Sequence, residues 1–163
     1  MLLRQIVLAC CVIGLTACRA PQELPAATQP LATPGPPAVT LPAALSADVS
    51  AAAPALLQLE RNAAANRDAA TLAALWTDDA RMVDGRNTVA PADDYTWTGR
   101  AAILDRYRLA VFPAPPPPMA ELPAPDIVMT ETARAVVTNG GDRWTLVRVA
   151  GRWYLQELVY QMP

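Results

Sequence analysis

Residues 142–160 alternate apolar and polar positions in two runs rich in Trp, Tyr, Leu and Val, separated by Ala150-Gly151. A period of two around a small pair predicts strand, two-residue turn, strand. Such a turn sets Val149 opposite Arg152, Arg148 opposite Trp153, Leu146 opposite Leu155 and Trp144 opposite Glu157. One face then carries Trp144, Leu146, Trp153, Leu155 and Val159, an apolar surface that another element must cover. A bulge would shift the register by one and exchange the faces of one strand. Ala also resists the positive φ of a primed turn.

Upstream the period changes. Leu56, Leu57, Leu59, Ala63 and Ala64 form a helical stripe, with Ser50 as its N-cap, Pro54 early and an end near Asn66. Asp68 caps a second, shorter helix whose Leu72, Leu75 and Trp76 face inward. Asp78-Asp79 ends it, and residues 80–84 read as a short strand. A polar loop over 85–96 leads to another short strand at 95–98. Thr98-Gly99-Arg100 opens a third helix, in which Ile103, Leu104, Tyr107 and Val111 recur at helical spacing opposite Arg100, Arg106 and Arg108. Pro115 to Pro118 forbid helix and central strand, so 113–125 reads as a loop. Strands follow at 126–130 and 133–139, and Asn139-Gly140-Gly141 turns into the final hairpin. Helices first and strands after predict an α+β domain with a mostly antiparallel sheet curled around the third helix.

The first 49 residues carry no such period. Arg4 precedes an apolar run of ten residues, 6–15, too short for a membrane span of roughly 20 and suited to a signal-peptide core. Leu15-Thr16-Ala17-Cys18 resemble the lipobox of bacterial lipoproteins, which implies that residues 1–17 are removed and Cys18 is lipidated. The implied partner is a lipid bilayer and the implied location extracytoplasmic and membrane-anchored. Residues 18–49 hold seven prolines (21, 25, 30, 34, 36, 37 and 42) and no aromatic residue. They read as a disordered, proline-rich linker, and 50–163 as the folded domain.

Composition then narrows the chemistry. The three cysteines are Cys10, Cys11 and Cys18, so a domain starting at 50 has neither disulfide nor thiol. There is no histidine, all 13 basic residues are Arg, and the only serines, Ser46 and Ser50, precede the domain's apolar stripe. Ser-His-Asp and Cys-His nucleophiles, Schiff bases and His-ligated zinc are excluded. No cofactor or metal is implied. A net charge of −2 argues against nucleic acid.

Ala74-Leu75-Trp76-Thr77-Asp78-Asp79-Ala80, Val83-Asp84-Gly85, Trp97-Thr98-Gly99-Arg100-Ala101-Ala102-Ile103 and Gly151-Arg152-Trp153-Tyr154-Leu155 together resemble the nuclear transport factor 2-like superfamily, in particular its SnoaL-like branch. The resemblance spans about residues 52–160. It implies a cone-shaped α+β fold, often a homodimer through the sheet, with functions from ketosteroid isomerisation and polyketide cyclisation to binding alone. Fold by itself does not decide among them.

Asp84 matches the catalytic base of the isomerase branch, where burial would raise a carboxylate's pKa for proton transfer. The tyrosine of that branch's oxyanion hole aligns on or near Glu60, and its late-strand acid near Arg143 or Trp144, so neither partner stands at its match. Tyr107 or Tyr154 would have to replace the tyrosine. The bland alternative for Asp84 is a strand-end aspartate bonding its own turn. For Glu157 it is an ion pair with a neighbouring arginine such as Arg148 or Arg134, and for Trp144 and Trp153 it is the core. Trp76, Asp84, Tyr107, Trp144, Trp153 and Glu157 are the pocket candidates. The expectation is a tethered domain that binds a small apolar ligand or a protein partner without catalysis. The alternative is an isomerase or cyclase using Asp84.

Overall fold

The computed structural model describes residues 39–86, 88–116 and 122–160. The expected signal peptide, Cys18 and most of the expected linker lie outside them. The first helix, α1, is Val49–Ala65, with Asp48 rather than Ser50 at its N-cap. Helix α2 is Ala69–Leu75. Asp68 caps it, accepting from the backbone N–H groups of Ala70 and Thr71 at 3.1 and 3.0 Å. Helix α3, Arg100–Arg106, continues into a π turn, Tyr107–Val111.

Six strands follow this order in the sheet: β2 (Tyr95–Thr98), β1 (Trp76–Asp84), β6 (Arg152–Tyr160), β5 (Asp142–Val149), β4 (Arg134–Asn139) and β3 (Asp126–Glu131). All neighbours are antiparallel except β1 and β6. The last hairpin thus occupies the middle of the sheet. The three helices pack on one face of this curved, unclosed sheet, giving an α+β cone. Leu56, Leu72, Leu75, Trp76, Ile103, Leu146 and Leu155 are at most 1% exposed and form its filling.

The hairpin turn is of the primed kind, with Ala150 at φ +49° and Gly151 at +82°. Ala150 accepts the left-handed conformation because the strand twist selects that turn. The anticipated pairs hold from Val149–Arg152 to Leu146–Leu155. Beyond them Gln156 is an extra residue, so Thr145 faces Glu157 and Trp144 faces Leu158. This corrects the apolar face: Leu158 takes the place expected of Val159, and Glu157 is turned to the outer side of the sheet.

Strand β1 also departs from expectation, beginning at Trp76 with Asp78-Asp79 inside it. Trp76 aligns with Leu155 and Arg81 with Glu157, so residues 77–80 face Gln156 alone. Both irregularities of the central strands therefore meet at one level.

The linker boundary at 49 is too late. Ala43–Ser46 forms a 3-10 turn and Leu45 is fully buried. The Ala47 carbonyl accepts from Trp153 Nε1 at 3.2 Å, and the Ser46 carbonyl from Arg148 at 3.1 Å. Leu41, Leu45 and Val49, spaced by four, all pack on the core. Their burial offsets the ordering cost that a proline-rich segment cannot otherwise meet.

Candidate functional site

Helix α1 carries one acid on its apolar stripe. Leu56, Leu57, Glu60 and Ala63 recur at three- and four-residue spacing, so Glu60 faces the same way as the core leucines. The hydroxyl of Tyr107, at the start of the π turn, donates to Glu60 Oε1. Burial pushes the Glu60 carboxyl up to about 7, while the Tyr107 hydroxyl and the Arg106 charge pull it down and Asp142 adds to the rise. Burial also drives the Tyr107 phenol well above its usual range, and the Glu60 charge acts in the same sense. The Trp76 N–H is buried without a well-formed hydrogen bond, and it opposes that rise from beside the Tyr107 oxygen.

Two grooves meet at this acid. One, about 330 Å³, lies between the end of α1 and the π turn; Ala64, Ala65, Val111, Phe112 and Pro115 form its apolar walls. The other, about 280 Å³, is bordered by Leu57, Leu122, Asn139, Asp142 and Trp144. Trp144 stacks obliquely on Trp76 with ring centroids 6.3 Å apart. Of the residues singled out from the sequence, Trp76, Tyr107 and Trp144 thus come together around Glu60. That acid had entered only as the place of an absent tyrosine.

Asp84 belongs to a different cluster at the rim of the cone. Its Oδ1 accepts the Arg86 backbone N–H at 3.0 Å, the Asx turn of an Asp-Gly strand end. The same carboxylate stands beside the Tyr160 hydroxyl and helps raise that phenol's pKa, after burial as the main cause. Arg106 donates to the Tyr160 hydroxyl at 2.7 Å, and its guanidinium lies 5.0 Å from the Trp97 ring centroid and 4.9 Å from that of Tyr160. Arg106 therefore turns toward aromatic rings rather than away from the core, as cation–π attraction favours. Met82 and Tyr107, exposed by 1% and 3%, belong to the buried core.

The remaining two candidates stand apart. Trp153, 2% exposed, holds the Ala47 carbonyl over buried Leu45. Glu157 is ion-paired with Arg81 at 3.3 Å, and Thr145 Oγ1 is 3.5 Å from it, all on the outer face. The bulge at Gln156 put it there, facing away from the inside of the cone. The anticipated ion pair with a neighbouring arginine is thus present, with Arg81 as the partner.

No family model and no curated protein matches the chain. Solved structures do. A ketosteroid isomerase-like protein from Erwinia carotovora atroseptica superposes with a TM-score of 0.53 at 20% identity, covering 69% of this chain and 94% of that one. A nuclear transport factor 2-like protein with a cystatin-like fold from Novosphingobium aromaticivorans gives 0.46 at 23% identity, over 64% and 75% of the two chains. A hexachlorocyclohexane dehydrochlorinase from Novosphingobium barchaimii gives 0.45 at 14%, over 64% and 79%. Together with the strand order and the helix-covered curved sheet, the first of these likenesses assigns the architecture: the chain has the nuclear transport factor 2-like, ketosteroid isomerase-like cone fold.

Proposed function

We propose that the domain binds a small apolar molecule carrying one hydrogen-bonding oxygen, without transforming it. The observation behind this reading is the Glu60 carboxyl at the inner end of a 330 Å³ groove walled by Ala, Val, Phe and Pro side chains. A carboxyl poised near neutrality and fixed by a phenol offers a donor or an acceptor to such an oxygen, and the walls take the apolar remainder. Chemistry is disfavoured because the Asp84 carboxylate already accepts the Arg86 N–H of its own turn and stands beside Tyr160.

A second reading, an isomerase or cyclase built on Asp84, has one observation in its favour. A carboxylate, a phenol and a guanidinium stand in a row at the rim, as Asp84, Tyr160 and Arg106. The two readings separate in a screen of ketosteroid-like and cyclisable polyketide-like compounds, following both uptake and turnover. Saturable uptake that Ala64→Trp abolishes by filling the groove, with no turnover, supports binding. Turnover that Asp84→Asn cuts by about 10²–10⁴-fold in a folded protein overturns it.

The same proposal extends to the address. Cys18, lipidated, would tether the domain to a bilayer outside the cytoplasm, with the proline-rich segment as spacer. Stable retention takes more than one acyl chain. Cys18→Ser should release the protein into the soluble fraction; a variant retained as firmly as wild type would show that the lipobox resemblance misleads.

A further inference from the structure

The groove between the end of α1 and the π turn has a second polar end. Glu60 lines it from within the helix, and Arg67, two residues past α1 and exposed, lines it at the surface. Helical rise separates the two positions by about 10 Å along the axis.

Arg67 holds a backbone position that glycine ordinarily takes. Its φ is +59°, and the N–H groups of Asp68 and Arg67 bond the Ala63 and Ala64 carbonyls at 2.8 and 3.2 Å, the paired bonds of a left-handed helix cap. A side chain at such a φ carries strain that glycine would avoid. That side chain is also aimed. Its Nε donates to the Phe112 carbonyl at 2.9 Å, and the Phe112 ring packs on Tyr107 with centroids 6.3 Å apart. Phe112 thus connects the outer arginine to the phenol that bonds Glu60.

The charged residues lining the groove are Glu60, Arg61 and Arg67. Glu60 accepts from Tyr107, and Arg61 is engaged within the domain, as is Asp142 in the second groove. Asp68, next to Arg67 in the chain, turns its carboxylate to the Ala70 and Thr71 N–H groups and the Thr71 hydroxyl. On the third helix Asp105 pairs with Arg108, and Arg106 donates to Tyr160. Arg67 makes no ion pair among the described residues, and its two terminal amino groups make no hydrogen bond there. Two such donors in a plane match the two oxygens of a carboxylate. One guanidinium also balances one negative charge, which a phosphate exceeds.

We infer that the ligand of this groove is an elongated carboxylic acid, its carboxylate on Arg67, its chain along the apolar walls and a hydroxyl or keto oxygen at Glu60. The inference rests on the reading of the groove proposed above and adds the chemistry of the ligand's outer end.

The probe is ω-hydroxyoctanoate, an anion at pH 7, compared with the corresponding α,ω-diol, which keeps the chain and the inner oxygen but lacks the charge. Each is titrated into the full chain while the Ala64, Ala65 and Val111 methyl signals are followed by NMR. Saturable shifts are expected with both, the acid binding about five- to tenfold more tightly, as an exposed two-point ion pair allows. Arg67→Gln should bring the acid down to the diol and leave the diol unchanged. Should that variant lose stability, raised salt supplies the check in the wild-type protein, where it should erase the preference because the pair lies at the surface. Equal binding of acid and diol, or a preference that survives Arg67→Gln or high salt, would overturn the assignment while leaving the groove a binding site. Equal weakening of both compounds by Arg67→Gln would make the arginine a structural cap and overturn it too. No shift with either compound would overturn both this inference and the reading beneath it.

Discussion

The Tyr107 hydroxyl donates to the Glu60 carboxyl, tying the middle of the first helix to the turn that follows the third. Phenol and carboxyl have both been moved from their usual proton affinities, chiefly by burial. The contact is therefore a part of the packing as well as the polar end of two grooves.

Its stability signature has a definite sign. The folded state holds the Glu60 proton up to about pH 7, against 4.5 for the ordinary group, so it binds that proton more tightly than the unfolded chain does. Stability from this group is complete below about 4.5 and is lost as pH rises toward 7. Asp68 and Asp79, whose affinities are lowered from 3.8, act oppositely and weaken the fold only in stronger acid. Denaturation midpoints should accordingly decline from about pH 4.5 to 7, and Glu60→Gln should flatten that decline. An unchanged slope in the variant would remove Glu60 as its source.

Trp153→Ala should cost about 3–5 kcal/mol by urea denaturation, as loss of a buried aromatic does. The ring is 2% exposed and its N–H serves the Ala47 carbonyl, so both the cavity and the orphaned carbonyl contribute. A well-folded variant with near-native stability would instead mark the ring as a ligand platform.

Leu45→Ala should destabilise by about 2–5 kcal/mol, because that side chain is fully enclosed. Removing all residues up to Asp48 should cost at least as much, whereas removing only those before 39 should leave the melting temperature within about a degree if they pack on nothing. Calorimetry of the two truncations distinguishes a structural segment from a spacer.

Glu157→Gln tests the corrected register. On the outer face, with Arg81 half exposed, the pair is worth about 0–1 kcal/mol. A loss of several kcal/mol would return Glu157 to the buried face opposite Trp144.

The helices, the strands and their order are readable from apolar spacing, because each element buries one face and its period survives in the chain. The register of the last strand is not legible from a regular period, because the extra residue at Gln156 turns Glu157 outward and Leu158 inward. Two inward residues three apart, with Gln156-Glu157 between them, cannot both lie on one face of a regular strand. Glu60 was visible as an acid on an apolar stripe, but its chemistry depends on Tyr107, forty-seven positions away, and no local pattern joins them. The 41-45-49 spacing was hidden by proline density, which speaks against long helix but not against one short turn. Asp78-Asp79 carries the signature of a helix end, yet the bulged β1 holds both acids inside the strand.

Leu45 also fixes where force would enter the molecule. If the chain is tethered ahead of residue 39, a pull on the tether does not reach the first helix first. It meets Leu45 in the core, then the Ser46 and Ala47 carbonyls held by Arg148 and Trp153 on the two arms of the central hairpin. The load passes into the best-supported strands of the sheet, and the grooves at Glu60 lie off that line of tension.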